Sequence, residues 1–294
     1  MANSNWINKR NSNHLIQICV ILLQVVVHVN PAVASEKSEA MVFPRGELFE
    51  PLVAAPKEPQ FSTGFHHVDS SGQLGKFTAA VVSYGEHFGL KRWKLADKQQ
   101  WQLSIVGALF AQFSMDAKSK DLINADYAVG LSATYRHNPL SYRLRIFHQS
   151  SHLGDELLLS KSAPDRVNFS LEAMDFLVGY ETQDFRIYGG GIYLLSVEPG
   201  SLDRFGVQFG GDFITSRYHH LLPGNLVGGI DLSAHESDDW SINVALKCGL
   251  EFGKTDSGHR RIRVMLERYE GEVPFGQFYN VDIISYGVSV YLLF

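Results

Sequence analysis

One short stretch of the chain combines residue type and spacing in a way that could do chemistry: Arg143 to Glu156, RLRIFHQSSHLGDE. His148 and Ser150 stand one residue apart in it. A serine hydroxyl becomes a nucleophile when a base takes its proton, and histidine is the usual base. A third group must then orient the imidazole. The next segment, RVNFSLEAMDF, offers two candidates, Asn168 and Glu172. In an extended strand residues i and i+2 share a face, about 6–7 Å apart, which suits a His-x-Ser pair. The same residues also have a plainer reading, with His148 in an interfacial belt and Ser150 and Ser151 opening a loop.

The elements that must position these residues are strands. From Phe61 onward, segments of about ten residues alternate apolar with polar or small side chains and are separated by turn formers. Twelve are expected, at 60–68, 75–84, 101–114, 125–136, 141–151, 167–181, 185–196, 203–216, 226–235, 240–253, 260–270 and 281–294. In the last, VDIISYGVSVYLLF, the residues Ile284, Tyr286, Val288, Val290, Leu292 and Phe294 share one face, and the chain ends on Phe294. Short connections (137–140 and 182–184) contrast with long polar ones (114–124, 152–165 and 270–280). This pattern predicts an all-β fold, a transmembrane antiparallel β-barrel of about twelve strands with short turns on the periplasmic side. A soluble β-sandwich is the alternative; it would bury one face and solvate the other.

A barrel decides which way the His-x-Ser strand faces. Arg143, Arg145, Phe147, Gln149 and Ser151 share one side of it, and Tyr142, Leu144, Ile146, His148 and Ser150 share the other. Two arginines directed at lipid are costly, so the arginine face is expected to line the lumen. His148 and Ser150 then look outward, near the outer end of their strand.

The remaining composition sets bounds. Lys9 and Arg10, the apolar run HLIQICVILLQVVVHV and Ala32-Val33-Ala34 have the layout of a secretory leader cleaved after Ala34. The run is shorter than the roughly 20 residues that a spanning helix needs, and Cys19 lacks a lipoprotein-type context. The expected domains are a leader (1–34), an N-terminal extension (35–59) broken by Pro44, Pro51, Pro56 and Pro59, with a short amphipathic piece around Glu47 to Val53, and the barrel (60–294). After cleavage one cysteine remains, Cys248, so no disulfide forms within the chain. Loss of Lys9 and Arg10 takes the formal charge from −5 to −7, and no basic stripe suggests nucleic acid.

Two resemblances follow from these residues. FPRGELFEPLVAAPKEP, LINADYAVG and HQSSHLGDE resemble an uncharacterised family of bacterial envelope proteins of unknown function, from about Phe43 to the end. The His-x-Ser pair on a barrel strand, with Asn168 beyond it, resembles outer membrane phospholipase A; the lipid A 3-O-deacylase barrels share the pair with Glu as the third group. The phospholipase resemblance implies a twelve-stranded barrel with an outward Ser-His-Asn site: Ser150 as nucleophile, His148 as base, Asn168 as orienting group. It also implies calcium as a cofactor, for which Asp155 and Glu156 could supply oxygens, and a homodimer. The chain departs from that pattern after Ser150, where Ser151-His152 stands in place of Asn-Gly. The implied partners are outer-membrane lipids and, through the strand ending at Phe294, the barrel assembly machinery. Three functions stand at this point: a lipid acyl-ester hydrolase of the outer membrane, a structural or assembly barrel without chemistry, and a small pore biased to anions by Arg143 and Arg145.

Overall fold

The computed structural model describes residues 39–294, apart from 73, 96–97, 160–166, 216–223 and 254–259. The expected leader and its cleavage position at Ala34 lie outside the described residues.

Among the described residues thirteen strands form one antiparallel sheet. They are β1 (Glu39–Val42), β2 (Phe61–Ser70), β3 (Lys76–Lys94), β4 (Gln100–Ser114), β5 (Leu122–His137), β6 (Leu140–Leu153), β7 (Phe169–Glu181), β8 (Phe185–Glu198), β9 (Phe205–Thr215), β10 (Asn225–His235), β11 (Asn243–Phe252), β12 (Arg261–Glu272) and β13 (Asp282–Leu293). From β3 to β13 each strand pairs with its successor, and β2 pairs with both β13 and β3, so β2 to β13 close into a twelve-stranded barrel. The shortest barrel strand has 10 residues, enough to cross a bilayer, for which tilted strands need about 9–11. The end where β13 finishes at Phe294 is called the tail end below, and the opposite end the far end.

The barrel is turned inside out relative to a soluble protein. Phe65, Ile187 and Leu266 are at least 60% exposed on its outer wall. Gln102, Ser104, Asp126, Thr134, Ser141, Arg143 and Glu251 are buried inside. Side chains alternate between the two faces along each strand. An apolar exterior around a polar interior is stable when the surrounding medium is itself apolar, as for outer-membrane barrels.

The interior is filled. Residues 43–60 leave β1, turn inward, and come back out at β2. Leu48, Phe49, Leu52, Val53, Ala54 and Ala55 are buried there. The four prolines keep the segment irregular, and the wall meets its backbone with side-chain donors. Gln102 Nε2 donates to Gly46 O (3.0 Å), Arg136 Nε to Leu48 O (2.6 Å), and Arg186 to Glu50 O (2.5 Å) and Pro51 O (3.0 Å). Deeper in, Arg143 donates to Glu58 at 2.6 Å and Lys57 Nζ to Asp126 at 2.5 Å. Burial pushes the Glu58 carboxyl up, but Arg143 and Arg145 outweigh it and hold it down to about 2. Glu47 sits where burial wins: its carboxyl is pushed up to about 7, against hydrogen bonds from Ser104 and Gln102.

Three expectations need correction. The amphipathic piece at Glu47 to Val53 forms no regular element; it is an irregular strap inside the barrel. The strand expected at 75–84 runs on to Lys94, because Gly85, Gly89, Lys91, Arg92 and Lys94 break the apolar alternation without breaking the pairing with β4. Connection lengths also separate less cleanly than expected. The tail-end connections 138–139 and 182–184 are short, but 216–224 and 253–260 are not, and the far-end connections 71–75 and 199–204 are brief.

Candidate functional site

The site lies on the outer wall where β5, β6, β7 and β8 run side by side. On β6, Ser141, Arg143 and Ser151 are buried in the lumen while Leu144 is exposed outside. The arginine face therefore points inward, and His148 and Ser150 look outward in the far third of the strand. Arg145 completes the inner face, with Nη2 2.6 Å from Asp175 Oδ2.

Register decides what each outward residue meets. His148 is level with Val129 on β5 and Glu172 on β7. Ser150 is level with Tyr127 and Ser170, and His152 with Ala125. The His148 Nδ1 atom lies 3.1 Å from Glu172 Oε1, and both side chains are part-exposed, 29% and 25%. With a proton on Nδ1, this contact leaves Nε2 as the basic nitrogen. Ser150 sits on the same face two residues further along. Among the described residues its hydroxyl has no hydrogen-bond partner.

Asn168 falls elsewhere. It precedes β7, and its Nδ2 donates to Glu198 Oε2 at 2.5 Å. Four residues of extended chain separate it from Glu172, about 13 Å. The register therefore brings together His148, Ser150 and Glu172, and sets Asn168 against Glu198 at the rim. The rim also holds Tyr127, whose ring meets that of His152 edge-on at a centroid distance of 5.8 Å.

Asp155 and Glu156 occupy the first turn of a short helix, α1 (Asp155–Leu158). Among the described residues no group of three or more His, Cys, Asp or Glu side chains is arranged to hold a metal ion. The Gly154 amide, the first glycine N–H after Ser150, donates to Ile123 O and is not free for an oxyanion. The residues that sequence reasoning missed are luminal: Lys57 and Glu58, which read in the sequence only as part of the N-terminal extension (35–59). Their signal was the run of apolar residues before them, Leu48 to Ala55, which an extension outside the barrel has no reason to carry.

The closed barrel, its apolar belt and its polar interior define the transmembrane β-barrel fold of outer-membrane proteins. No helix among the described residues is long and apolar enough to cross a membrane; the strands do the crossing. The chain belongs to the family described as "Protein of unknown function (DUF1207)", whose profile matches residues 25–294. No functionally curated protein matches it. Among solved structures the fold is similar to the Salmonella typhi outer membrane phospholipase dimer with bound calcium (TM-score 0.52, 11% identity, covering 82% of this chain and 93% of that one). It is also similar to outer membrane phospholipase A from Escherichia coli (TM-score 0.50, 10% identity, covering 84% and 94%). At such identities the likeness is one of fold.

Proposed function

We propose that the protein is a lipid acyl-ester hydrolase of the bacterial outer membrane, with Ser150 as nucleophile, His148 as general base and Glu172 as the group that orients the ring. The observation that carries this reading is the 3.1 Å contact between His148 Nδ1 and Glu172 Oε1 on the lipid-facing wall. A carboxylate there is costly unless paired, and its partner is the one residue that a neighbouring serine needs as a base. Attack by Ser150 Oγ on an acyl carbonyl passes the hydroxyl proton to His148 Nε2. The imidazolium, steadied by Glu172, then protonates the departing lipid alkoxide. Water, activated by the same ring, cleaves the acyl-enzyme and restores Ser150. Asn168, the alternative orienting group, in this reading only braces Glu198.

The substrate arrives laterally, from the outer leaflet, with the tail end in the periplasm after export and cleavage near Ala34. The terminal Phe294, whose ring packs edge-on against Phe61 at 5.1 Å, finishes the strand that the assembly machinery would read. The Salmonella phospholipase structure is a dimer with calcium, so a homodimer belongs to the same proposal; the described residues of one chain group no ligand set for calcium, and no step here runs through it. A second reading, a barrel with a structural role alone, draws on the filled lumen and on the unpartnered Ser150 hydroxyl.

The deciding experiment measures fatty-acid release by the refolded barrel from mixed phospholipids and from lipid A, with and without calcium. Release by the wild type and its loss in Ser150→Ala is the expected result. A folded wild type that releases nothing from either lipid overturns the hydrolase reading in favour of the structural one.

A further inference from the structure

We propose that residues 43–60 are a displaceable plug, and that the barrel passes small ions, with anions preferred, when the plug leaves the lumen. The attachment of the segment is the first argument. β1 and β2 pair with the same edge of β3, Val42 opposite Lys91 and Ser62 opposite Ser83. The stretch 84–90 of β3 lies between them. The plug is therefore an insertion looped from one strand edge, held at both ends near the tail end. The pairings that close the barrel, β2 with β13 and β3 with β4, do not run through it. It can swing out without unpairing any barrel strand.

The second argument is what the plug divides. On its tail side lies a cavity of about 350 Å³ bordered by Glu47, Pro51 and Gln60. On its far side lies another of about 270 Å³ bordered by Pro56, Lys57 and Glu58. Pro59 borders both, so the segment is a partition between two spaces of one lumen. The connection 273–281 covers part of the far mouth, where the Gly276 N–H donates to Asp126 and Gln277 Nε2 to Ser151 O. The far cavity continues on the other side of the barrel, along His235, Asn243 and Glu272.

The third argument is the nature of the contacts. The plug's carbonyls and its Lys57 and Glu58 meet polar wall groups that water can satisfy in its place. When Glu58 departs, Arg143 and Arg145 face one remaining carboxylate, Asp175, which favours anions at that level. Asp126 loses Lys57 but keeps its bonds from Ser151, Asn124 and the Gly276 amide.

The test is conductance of the full mature barrel in planar bilayers under a salt gradient, with folding checked by heat-dependent gel mobility. Two variants release the plug by different means: Glu58→Arg, and replacement of 45–58 by a four-residue Gly-Ser linker. Breaking a buried ion pair is worth about a hundredfold or more in an equilibrium. Both variants are expected to raise conductance on that scale, with a reversal potential on the anion side. Glu58→Arg combined with Arg143→Glu is expected to return it towards the wild type. A folded linker variant that conducts no more than the wild type overturns the proposal, as does a wild type that already conducts as well as the linker variant.

Discussion

The sharpest consequence of the strand register concerns which residue holds the His148 ring. Glu172 is level with His148 and in contact with it at 3.1 Å; Asn168 is about 13 Å further along the chain and is bound to Glu198. Glu172→Gln keeps the shape of the side chain and removes the charge that, in the proposed reaction, steadies the imidazolium and fixes its tautomer. Where such an orienting carboxylate is neutralised in a serine-histidine site, the turnover rate falls by about 10²- to 10⁴-fold, a loss of about 3–5 kcal/mol of transition-state stabilisation. Asn168→Ala removes a rim contact to an exposed carboxylate and is expected to change the rate less than about threefold, the scale of a surface substitution. The assay is fatty-acid release at saturating mixed-micelle substrate, so that kcat and KM separate; the loss in Glu172→Gln should fall on kcat. The reasoning is refuted if Asn168→Ala loses as much activity as Glu172→Gln. It is refuted equally if Glu172→Gln keeps wild-type turnover while Ser150→Ala is dead.

Three further outcomes follow from the packing. Arg186→Met leaves Asp212 buried without its guanidinium partner and removes the donor to Glu50 O and Pro51 O; a loss of about 3–5 kcal/mol is expected, read as a lowered urea midpoint of the refolded barrel. Gly190→Ala would place a methyl carbon 1.9 Å from Phe176 O, whereas one at Gly107 meets nothing within 4 Å; Gly190→Ala should lower the midpoint by at least the about 1–3 kcal/mol of overpacking, and Gly107→Ala should leave it unmoved. Glu47 makes plug docking pH-dependent. Its carboxyl is raised from 4.5 to about 7 when docked, so the docked strap holds a proton that the released one gives up. The Glu47 contribution to docking is full at about pH 4.5, weakens as the pH rises towards 7, and changes no further above it, by up to about 1.4 kcal/mol per unit; below 4.5 the Glu58 carboxyl, held down to about 2 by Arg143 and Arg145, weakens docking in turn. Cleavage by trypsin after the half-buried Lys57 should speed up from pH 4.5 to about 7 in the wild type relative to Glu47→Gln; parallel rates in the two would refute it.

Much of the barrel is legible in the sequence because its physics is local. Each strand has one wall of lipid and one of polar interior, so alternation with period two is written into nearly every segment, and all twelve expected segments correspond to strands. The direction of β6 is legible for the same reason: Arg143 and Arg145 cannot face lipid, and their inward turn sends His148 and Ser150 outward. The second half of β3 is not legible, and its structure supplies the reason. A methyl carbon at Gly85 would lie 2.9 Å from Pro59 Cα, and one at Gly89 would lie 2.6 Å from Pro44 O. These glycines exist so that the two ends of the plug can pass against the strand. The features that erase the apolar signal of β3 are therefore the imprint of the segment that fills the lumen.

The luminal strap and the Glu172–His148 contact were hidden by a different kind of physics, that of contacts made far apart in the chain. Lys57 meets Asp126 across 69 positions and Glu58 meets Arg143 across 85; read singly, each of these residues suits a solvated surface. Only their pairing inside a closed wall gives the charges a reason to be buried. The choice between Asn168 and Glu172 depends on the offset between β6 and β7. The connection between those strands is long, so alternation alone places both candidates on one face and cannot rank them by height. The register resolves the ambiguity through the cost of charge at the lipid surface. Glu172 is tolerable on the outer wall when a partner stands level with it, and His148 does. If that pairing served stability alone, any neutral pair of the same size would do as well, since replacing a paired charge by packed apolar groups is often neutral or favourable. A His148→Leu/Glu172→Leu barrel that is as stable as the wild type but has lost fatty-acid release would show that the pair is kept for its chemistry.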